Sequence, residues 1–377
     1  MKILIANIGS TSFKYRLLEM PGEGVLGQGR VERIGRPGGD CPDYDTAIQR
    51  CLGDVVGPGR PLASLGDLAA VGFKAVLAGP LGGARLVDEA VLAAMEEFAF
   101  VAPAHNPPYV AAMRAFRRSA PRLPLVALFE TAFFDALDEA TTTYAIPREW
   151  TEMGVRRYGF HGASHRAASE RAQAVLGRAD LRHVSCHLGG SSSVAAIRCG
   201  TAVDTSFGLS PQSGLPQNNR VGDLDAFATL YVMRKLGVSP DEMARRLANE
   251  SGLAGIAGGS GDVRDLEAAA AAGDRHARLA LDVFVQAVRH YLGAFLVKLG
   301  GLDVLTFSGG IGENSPGVRA AVCAGLEGLG IRLDPERNAA AKGEGRLSPD
   351  GPCVSILLIP ADEERIVARA VARVVSS

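Results

Sequence analysis

Lys2-Ile3-Leu4-Ile5-Ala6-Asn7-Ile8-Gly9-Ser10-Thr11-Ser12 opens the chain as an apolar strand that runs into a Gly/Ser turn. The same layout returns at Val184-Ser185-Cys186-His187-Leu188-Gly189-Gly190-Ser191-Ser192-Ser193-Val194-Ala195-Ala196. In both stretches a polar residue, one apolar residue and glycine precede hydroxyls. Asn7 matches His187 at an offset of 180 residues, about half of the 377-residue chain. One such loop is unspecific, because Gly/Ser turns join strands in many proteins that bind nothing. Two at half-chain separation predict a duplicated domain in which each half presents a β-hairpin loop to a shared cleft. Such loops suit phosphate: glycine lets the backbone turn sharply and approach closely, while serial N–H groups and hydroxyls donate to the oxygens.

A third loop follows the same logic. Leu299-Gly300-Gly301 reads as a helix stop and Val304-Leu305-Thr306-Phe307 as a buried strand. Ser308-Gly309-Gly310-Ile311-Gly312-Glu313-Asn314-Ser315 then reads as a turn into a helix. Strand, glycine turn and helix N-terminus make an anion or nucleotide site. The spacing is not the dinucleotide GxGxxG. Behind two other phosphate-type loops, ATP is the sensible ligand.

Bulk properties narrow the classes. The length fits two domains, and 47% hydrophobic with 21% charged residues is ordinary for a soluble globular chain. A formal net charge of -1 and the absence of a basic run give no pull toward nucleic acid. An anionic substrate therefore has to be held by a few placed cations. The N-terminal apolar run is too short for a signal peptide. Leu279 to Leu299, the longest apolar region, is interrupted by Asp282, Gln286, Arg289 and Lys298 and reads as an amphipathic helix, not a membrane span. Six cysteines without a CxxC pair read as reduced thiols in the cytoplasm.

Asn7-Ile8-Gly9-Ser10-Thr11-Ser12-Phe13-Lys14 resembles the opening signature of acetate kinases, N-x-G-S-S-S-x-K. Tyr158-Gly159-Phe160-His161-Gly162-Ala163-Ser164-His165 is similar to their second signature, Y-G-F-H-G-T-S-H. His105-Asn106-Pro107-Pro108, Cys186-His187-Leu188-Gly189, Arg220-Val221-Gly222-Asp223, Gly310-Ile311-Gly312-Glu313-Asn314 and Asp362-Glu363-Glu364 match further segments in the family's order. The resemblance implies an α/β fold of duplicated actin-like ATPase (ribonuclease H-like) domains with a nucleotide cleft between them. Residues 1–131 with 364–377 would form the first domain. Residues 132–363 would form the second, with the nucleotide site and the interface of a homodimer. It also implies direct in-line transfer of the ATP γ-phosphoryl group to a small carboxylate, giving an acyl phosphate and ADP, with Mg2+ as cofactor.

On that resemblance the catalytic candidates are Arg220, whose guanidinium fork fits a carboxylate or phosphoryl group, His161, Glu130, Lys74 and His105. Taken singly, Arg220 would pass as a surface residue, His161 as a core histidine and His105 as part of a turn. Val76, Ala104, Phe160 and Pro211 map onto the acceptor pocket. Asn7, Ser10, Ser12, Lys14, His187, Gly189, Gly190, Asp262, Arg264, Gly310, Ile311 and Gly312 map onto the nucleotide. Asn7 and Glu363 map onto the metal, Glu363 acting through water because Mg2+ keeps much of its hydration shell. Asp262 and Arg264 read equally as a helix-start pair.

The sequence departs from the family at several places, among them Gly189-Gly190-Ser191 for Gly-Asn-Gly and Asn218-Asn219 for Gly-Thr, and three matter most. Lys74 stands where the family has arginine in G-H-R-V-V-H-G-G, keeping the charge without the fork. Glu130 replaces the aspartate of V-F-D-T-A-F, and Ala104 stands where acetate kinases usually carry leucine. These changes leave three readings open: a kinase for acetate or a near relative, one for a longer or functionalised acid, and a catalytically weak nucleotide-binding protein on the same fold.

Overall fold

The computed structural model describes every residue except Ser10 and Pro352. The chain forms two compact units, Met1–Asp135 with Asp362–Ser377, and Ala136–Ala361. Residues 132–135 and 362–363, assigned above to the second domain, thus belong with the first. For Glu363 the reason is that it opens the C-terminal helix Glu363–Ser376, which packs on the sheet of the first unit.

That sheet contains β1 (Lys2–Ile8), β2 (Phe13–Glu19), β3 (Gly24–Val31), β4 (Leu68–Ala75), β5 (Ala84–Leu86) and β6 (Leu125–Phe129). Its order is β3-β2-β1-β4-β6-β5. β1, β4 and β6 run parallel, whereas β2 pairs antiparallel with both β1 and β3, and β5 pairs antiparallel with β6. The parallel strands are covered and nearly continuously apolar, with β6 buried throughout. The C-terminal helix covers β1, β4 and β6, and the helix Asn106–Ser119 also packs on β1. Phe116 from the latter meets Phe13 and Phe73 edge-on at ring separations of 6.0 and 5.5 Å.

The second unit repeats the plan. Its strands are β7 (Arg182–Leu188), β8 (Ser192–Arg198), β9 (Thr201–Thr205), β10 (Val304–Ser308), β11 (Gly345–Arg346) and β12 (Ser355–Leu358). Read from the opposite edge, the order β9-β8-β7-β10-β12-β11 reproduces the first sheet strand for strand, with the same orientations. β1 and β7 start and stop 180 residues apart, so Asn7 and His187 occupy the same penultimate position. The echo in sequence is a true duplication of topology.

The helix Arg275–Leu299 is long and apolar enough, by length and composition, to cross a membrane. Its stripe of Ala277, Leu281, Phe284, Val288, Leu292, Phe295 and Leu299 recurs every three or four residues and lies in one core with Val184, Leu305 and Phe307. The helix ends at Gly300 in the left-handed conformation, as the Leu299-Gly300-Gly301 stop requires. All six cysteines are free thiols.

Candidate active site

The first hairpin places Asn7 opposite Lys14 where β1 passes into β2. Gly9 N–H closes the turn on the Ser12 carbonyl at 2.8 Å. Ser10 lies outside the described residues. The buried Tyr109 hydroxyl accepts from Ile8 N–H at 3.2 Å and donates to Asn7 Oδ1 at 3.4 Å, anchoring the end of β1. His105 precedes the helix that carries Tyr109, and its segment is pinned by the next residue. Asn106 Nδ2 donates to the carbonyls of Leu77 and Met95 at 2.8 and 2.7 Å. Val76 is buried and Ala104 exposed.

Three elements converge on one ionic cluster in this unit. Lys74, near the end of β4, places Nζ 3.0 Å from Glu130 Oε1 and 2.6 Å from Glu363 Oε2. Glu130 follows β6, whose parallel register to β4 brings the two together, and its N–H donates to the Ala75 carbonyl. Glu363 occupies the first turn of the C-terminal helix, where the helix dipole favours a carboxylate. Burial disfavours the Lys74 ammonium, but the two carboxylates outweigh it and hold its pKa well above the usual lysine value. Neighbouring Glu364 pairs with Arg16 at 2.8 Å, and burial pushes its carboxyl pKa up. Asp362 Oδ1 is buried without a hydrogen-bond partner.

In the second unit His161 stands at the head of the helix Gly162–Leu176 with φ 59° and ψ 27°, a strained left-handed conformation for a non-glycine residue. Its Nδ1 lies 2.9 Å from Ser193 Oγ. The same hydroxyl is 2.8 Å from His165 Nε2, whose Nδ1 lies 2.9 Å from Ser185 Oγ. His187 Nδ1 pairs with Ser164 Oγ at 2.7 Å, and its ring lies 4.4 Å from that of His161. His187 is therefore part of the histidine–serine network that fixes His161. Phe160 packs edge-on against Phe207 at 5.4 Å.

Burial drives the pKa of His165 well below the ordinary histidine value and that of His183 down to about 3. Both remain neutral in the fold and take up protons only on unfolding. Their stabilisation is complete above about pH 6.5 and is lost as pH falls toward their folded values. His183 is expected to subtract about 2 kcal/mol at pH 5 relative to pH 7, with a loss of the same sign from His165. Urea unfolding at the two pH values measures the loss, and His183→Gln should remove about 2 kcal/mol of it.

Arg220 is a desolvated guanidinium, and burial alone lowers its pKa. Its Nη1 donates to Gln217 Oε1 at 3.1 Å and to Ser191 Oγ at 3.3 Å, both neutral acceptors. Among the described residues it forms no ion pair with a carboxylate. Gln217, fully buried, also donates from Nε2 to the Pro211 carbonyl at 2.7 Å, so it ties Arg220 to the segment expected to line the acceptor pocket. The turn carrying Arg220 packs so closely on Gly252 (φ +61°) that a Cβ there would lie 2.1 Å from the Gln217 carbonyl oxygen.

A cavity of about 560 Å³ opens beside the second hairpin, with Gly190, Asn218, Asp262, Arg264, Gly310 and Ile311 in its wall. Gly309, in the left-handed region, lets the next loop approach the end of β7; a Cβ would lie 2.6 Å from the Leu188 carbonyl oxygen. Ser192 Oγ accepts from Gly189 N–H and donates to the Gly189 carbonyl, closing the hairpin. Gly189 and Gly312 support this wall without lining it. Asp262 and Arg264 are at once a helix-start ion pair, 2.6 Å apart, and part of the wall.

Sequence reading missed Arg319, which underpins the third loop. Completely buried, it donates to Gly312 and Glu313 carbonyls at 2.8 and 3.0 Å and to Asn338 Oδ1 and carbonyl at 2.7 and 2.8 Å. Its signal in the sequence is an arginine directly after Val318 and three residues before Val322, on the buried face of its helix. Ser193 and Gln217 were also missed, being common polar types without a spacing signal.

Comparison with known proteins agrees with this geometry. Residues 2–369 match the profile of the acetokinase family. The chain is 41% identical to acetate kinase of Treponema denticola, covering 98% of each chain, and 38% identical to that of Shouchella clausii, covering 100% of each. In structure it is similar to Porphyromonas gingivalis acetate kinase (TM-score 0.89, 34% identity, 99% of each chain). It is also similar to a propionate kinase from Francisella tularensis (TM-score 0.88, 29% identity, 98% of each chain). The chain belongs to the acetokinase family.

Proposed function

We infer that the protein is a phosphotransferase that moves the γ-phosphoryl group of ATP onto the carboxylate of a short carboxylic acid, by direct in-line displacement. The carrying observation is Arg220, a desolvated guanidinium whose protein partners are neutral and whose charge is left for a ligand anion. In this step a carboxylate oxygen bonds to phosphorus as the bond to the ADP oxygen breaks, so the enzyme's task is to position groups and neutralise charge. Arg220 holds the acceptor or the transferring group. His161, fixed by Ser193, offers a hydrogen bond to the phosphoryl oxygens. The cavity walled by Gly190, Gly310 and Ile311 takes the nucleotide. Asn7 and Lys14 serve the phosphates from the first hairpin, and His105 orients the acyl phosphate.

Mg2+ fits the first unit by the chemistry of its donors. An ammonium already sits between Glu130 and Glu363, and a further carboxylate oxygen, Asp362 Oδ1, is buried without a partner. Among the described residues no cluster of three or more His, Cys, Asp or Glu makes a metal cage, as suits an ion held through water and phosphates. When bound, Mg2+ neutralises charge on the β- and γ-phosphates. Glu363 and Asn7 would hold it.

The enzyme acts as a homodimer in the cytoplasm. The helix Ala226–Leu236 supports the first statement, because it has no buried residue although Phe227 and Tyr231 are 78% and 64% exposed. Six free thiols agree with the second.

ADP release across acids from formate to hexanoate, with hydroxylamine trapping of the acyl phosphate, tests the function. Trapped hydroxamate with at least one acid is expected; ATP turnover without it sinks the reading. Ala104 further leads us to expect room for a three- or four-carbon acid, at about fourfold in kcat/KM per well-fitted methylene. Ala104→Leu should return the preference to acetate. A wild type that prefers acetate, or an unchanged order in the variant, removes Ala104 as a selector.

A further inference from the structure

Lys74, a catalytic candidate that stands where the family has arginine, has its ammonium committed to two carboxylates. Nζ contacts Glu130 and Glu363 at 3.0 and 2.6 Å, and the three side chains are 18%, 5% and 16% exposed. One cation between two carboxylates leaves the cluster with a net charge of -1. Such a cluster repels a carboxylate and attracts a metal ion. Arg220, with neutral partners, has the opposite character. Nearby, Glu364 pairs with Arg16 at 2.8 Å and also feels Asp362, Glu363 and Lys74, Asp362 pairs with Arg365 at 3.1 Å, and Tyr109 brings a neutral hydroxyl whose pKa burial raises.

We propose that Lys74 is a resident cation for the metal-side carboxylates, a positioning residue that holds Glu130 and Glu363 in place and sets the affinity of this site for a divalent cation, and that it does not recognise the acceptor acid. The ammonium neutralises half of the cluster's negative charge while no metal nucleotide is bound. It thereby keeps two nearly buried carboxylates from repelling each other. It also keeps the free site a weak metal binder, so that metal enters with the nucleotide phosphates. This inference rests on the kinase reading and on Glu363 as the metal-side group.

The test measures Mn2+ binding to the full-length, nucleotide-free enzyme by electron paramagnetic resonance. Lys74→Met changes the cluster from -1 to -2 and should tighten Mn2+ about tenfold. Lys74→Arg, and Lys74→Met combined with Glu130→Gln, both keep -1 and should stay within about threefold of wild type. The KM of Lys74→Met for its acceptor acid, at saturating ATP, should also change less than about threefold. A smaller gain in Mn2+ affinity than threefold, or a larger rise in acceptor KM, overturns the proposal.

If Lys74→Met does not fold, the wild type still decides. Its Lys74 ammonium 15N resonance, identified by its loss in Lys74→Arg, should shift on addition of Mg2+-ADP and not on addition of acetate or propionate. A shift with either acid, or none with Mg2+-ADP, refutes it. Neither binding readout depends on turnover, so failure of the kinase reading would show separately, as absence of trapped hydroxamate from the wild type.

Discussion

Arg220→Ala should lower kcat by about a thousandfold with the acid the panel identifies, and leave the melting temperature within about 2 °C of wild type. The two halves of this expectation have one cause. Among the described residues the Arg220 side chain gives the fold two hydrogen bonds, to the neutral oxygens Gln217 Oε1 and Ser191 Oγ, so its removal strands no charge there. On the proposed function the anion it neutralises belongs to the reaction, and one lost charge contact to a transition state costs about 3 to 4 kcal/mol. Arg220→Lys should recover only part of the rate, since a point charge cannot grip two oxygens as a planar fork does. Steady-state kinetics and calorimetry on the same samples check both halves. Near-normal turnover of Arg220→Ala would remove it from the machinery and with it the main support for the function.

Arg319→Met should show the reverse pattern, a loss of stability that carries the nucleotide with it. The guanidinium satisfies two carbonyls of the Gly309–Asn314 helix and two acceptors of Asn338, all from a completely buried position. Methionine fills most of the volume but leaves those acceptors unpaired, at about 4 kcal/mol in all, or roughly 10 °C in melting temperature. Gly310 and Ile311 lie on the same short helix and wall the cavity proposed for the nucleotide, so ATP affinity should fall at least about tenfold. Chemical unfolding and ATP-induced thermal shift measure the two effects. A variant with normal stability would show that this buried network is held by other contacts.

The glycine and hydroxyl loops were legible in the sequence because their chemistry is local. Gly309 adopts the left-handed backbone that glycine favours, and the strand–glycine–helix layout there gained meaning in the sequence only beside the two other glycine loops. The paired strands at 2–8 and 182–188 were legible for a similar reason: apolar runs flanked by the same turn chemistry recur at a fixed offset. Arg220 and His161 stood out only through flanking residues that resemble a known family. Ser193, Gln217 and Arg319 did not stand out, because what makes them matter is the partner each meets from far along the chain.

The sequence by itself determined that this is a duplicated α/β protein with glycine- and hydroxyl-rich hairpin loops in both halves. Periodicity, turn residues and internal repetition are properties of neighbouring residues and survive without a fold. Only the tertiary structure decided what the charged side chains do. Lys74 and Glu363 are separated by 289 residues, yet parallel pairing of β4 with β6 and docking of the C-terminal helix bring them to 2.6 Å. That juxtaposition makes a lysine that the sequence offered only as a catalytic candidate the partner of two carboxylates. Arg220, one of 40 basic residues in the sequence, is set apart by the opposite circumstance: folding strips its water and gives it neutral neighbours. Charge is written in the chain, but whether it is spent inside the protein or kept for a ligand depends on which distant groups folding places beside it.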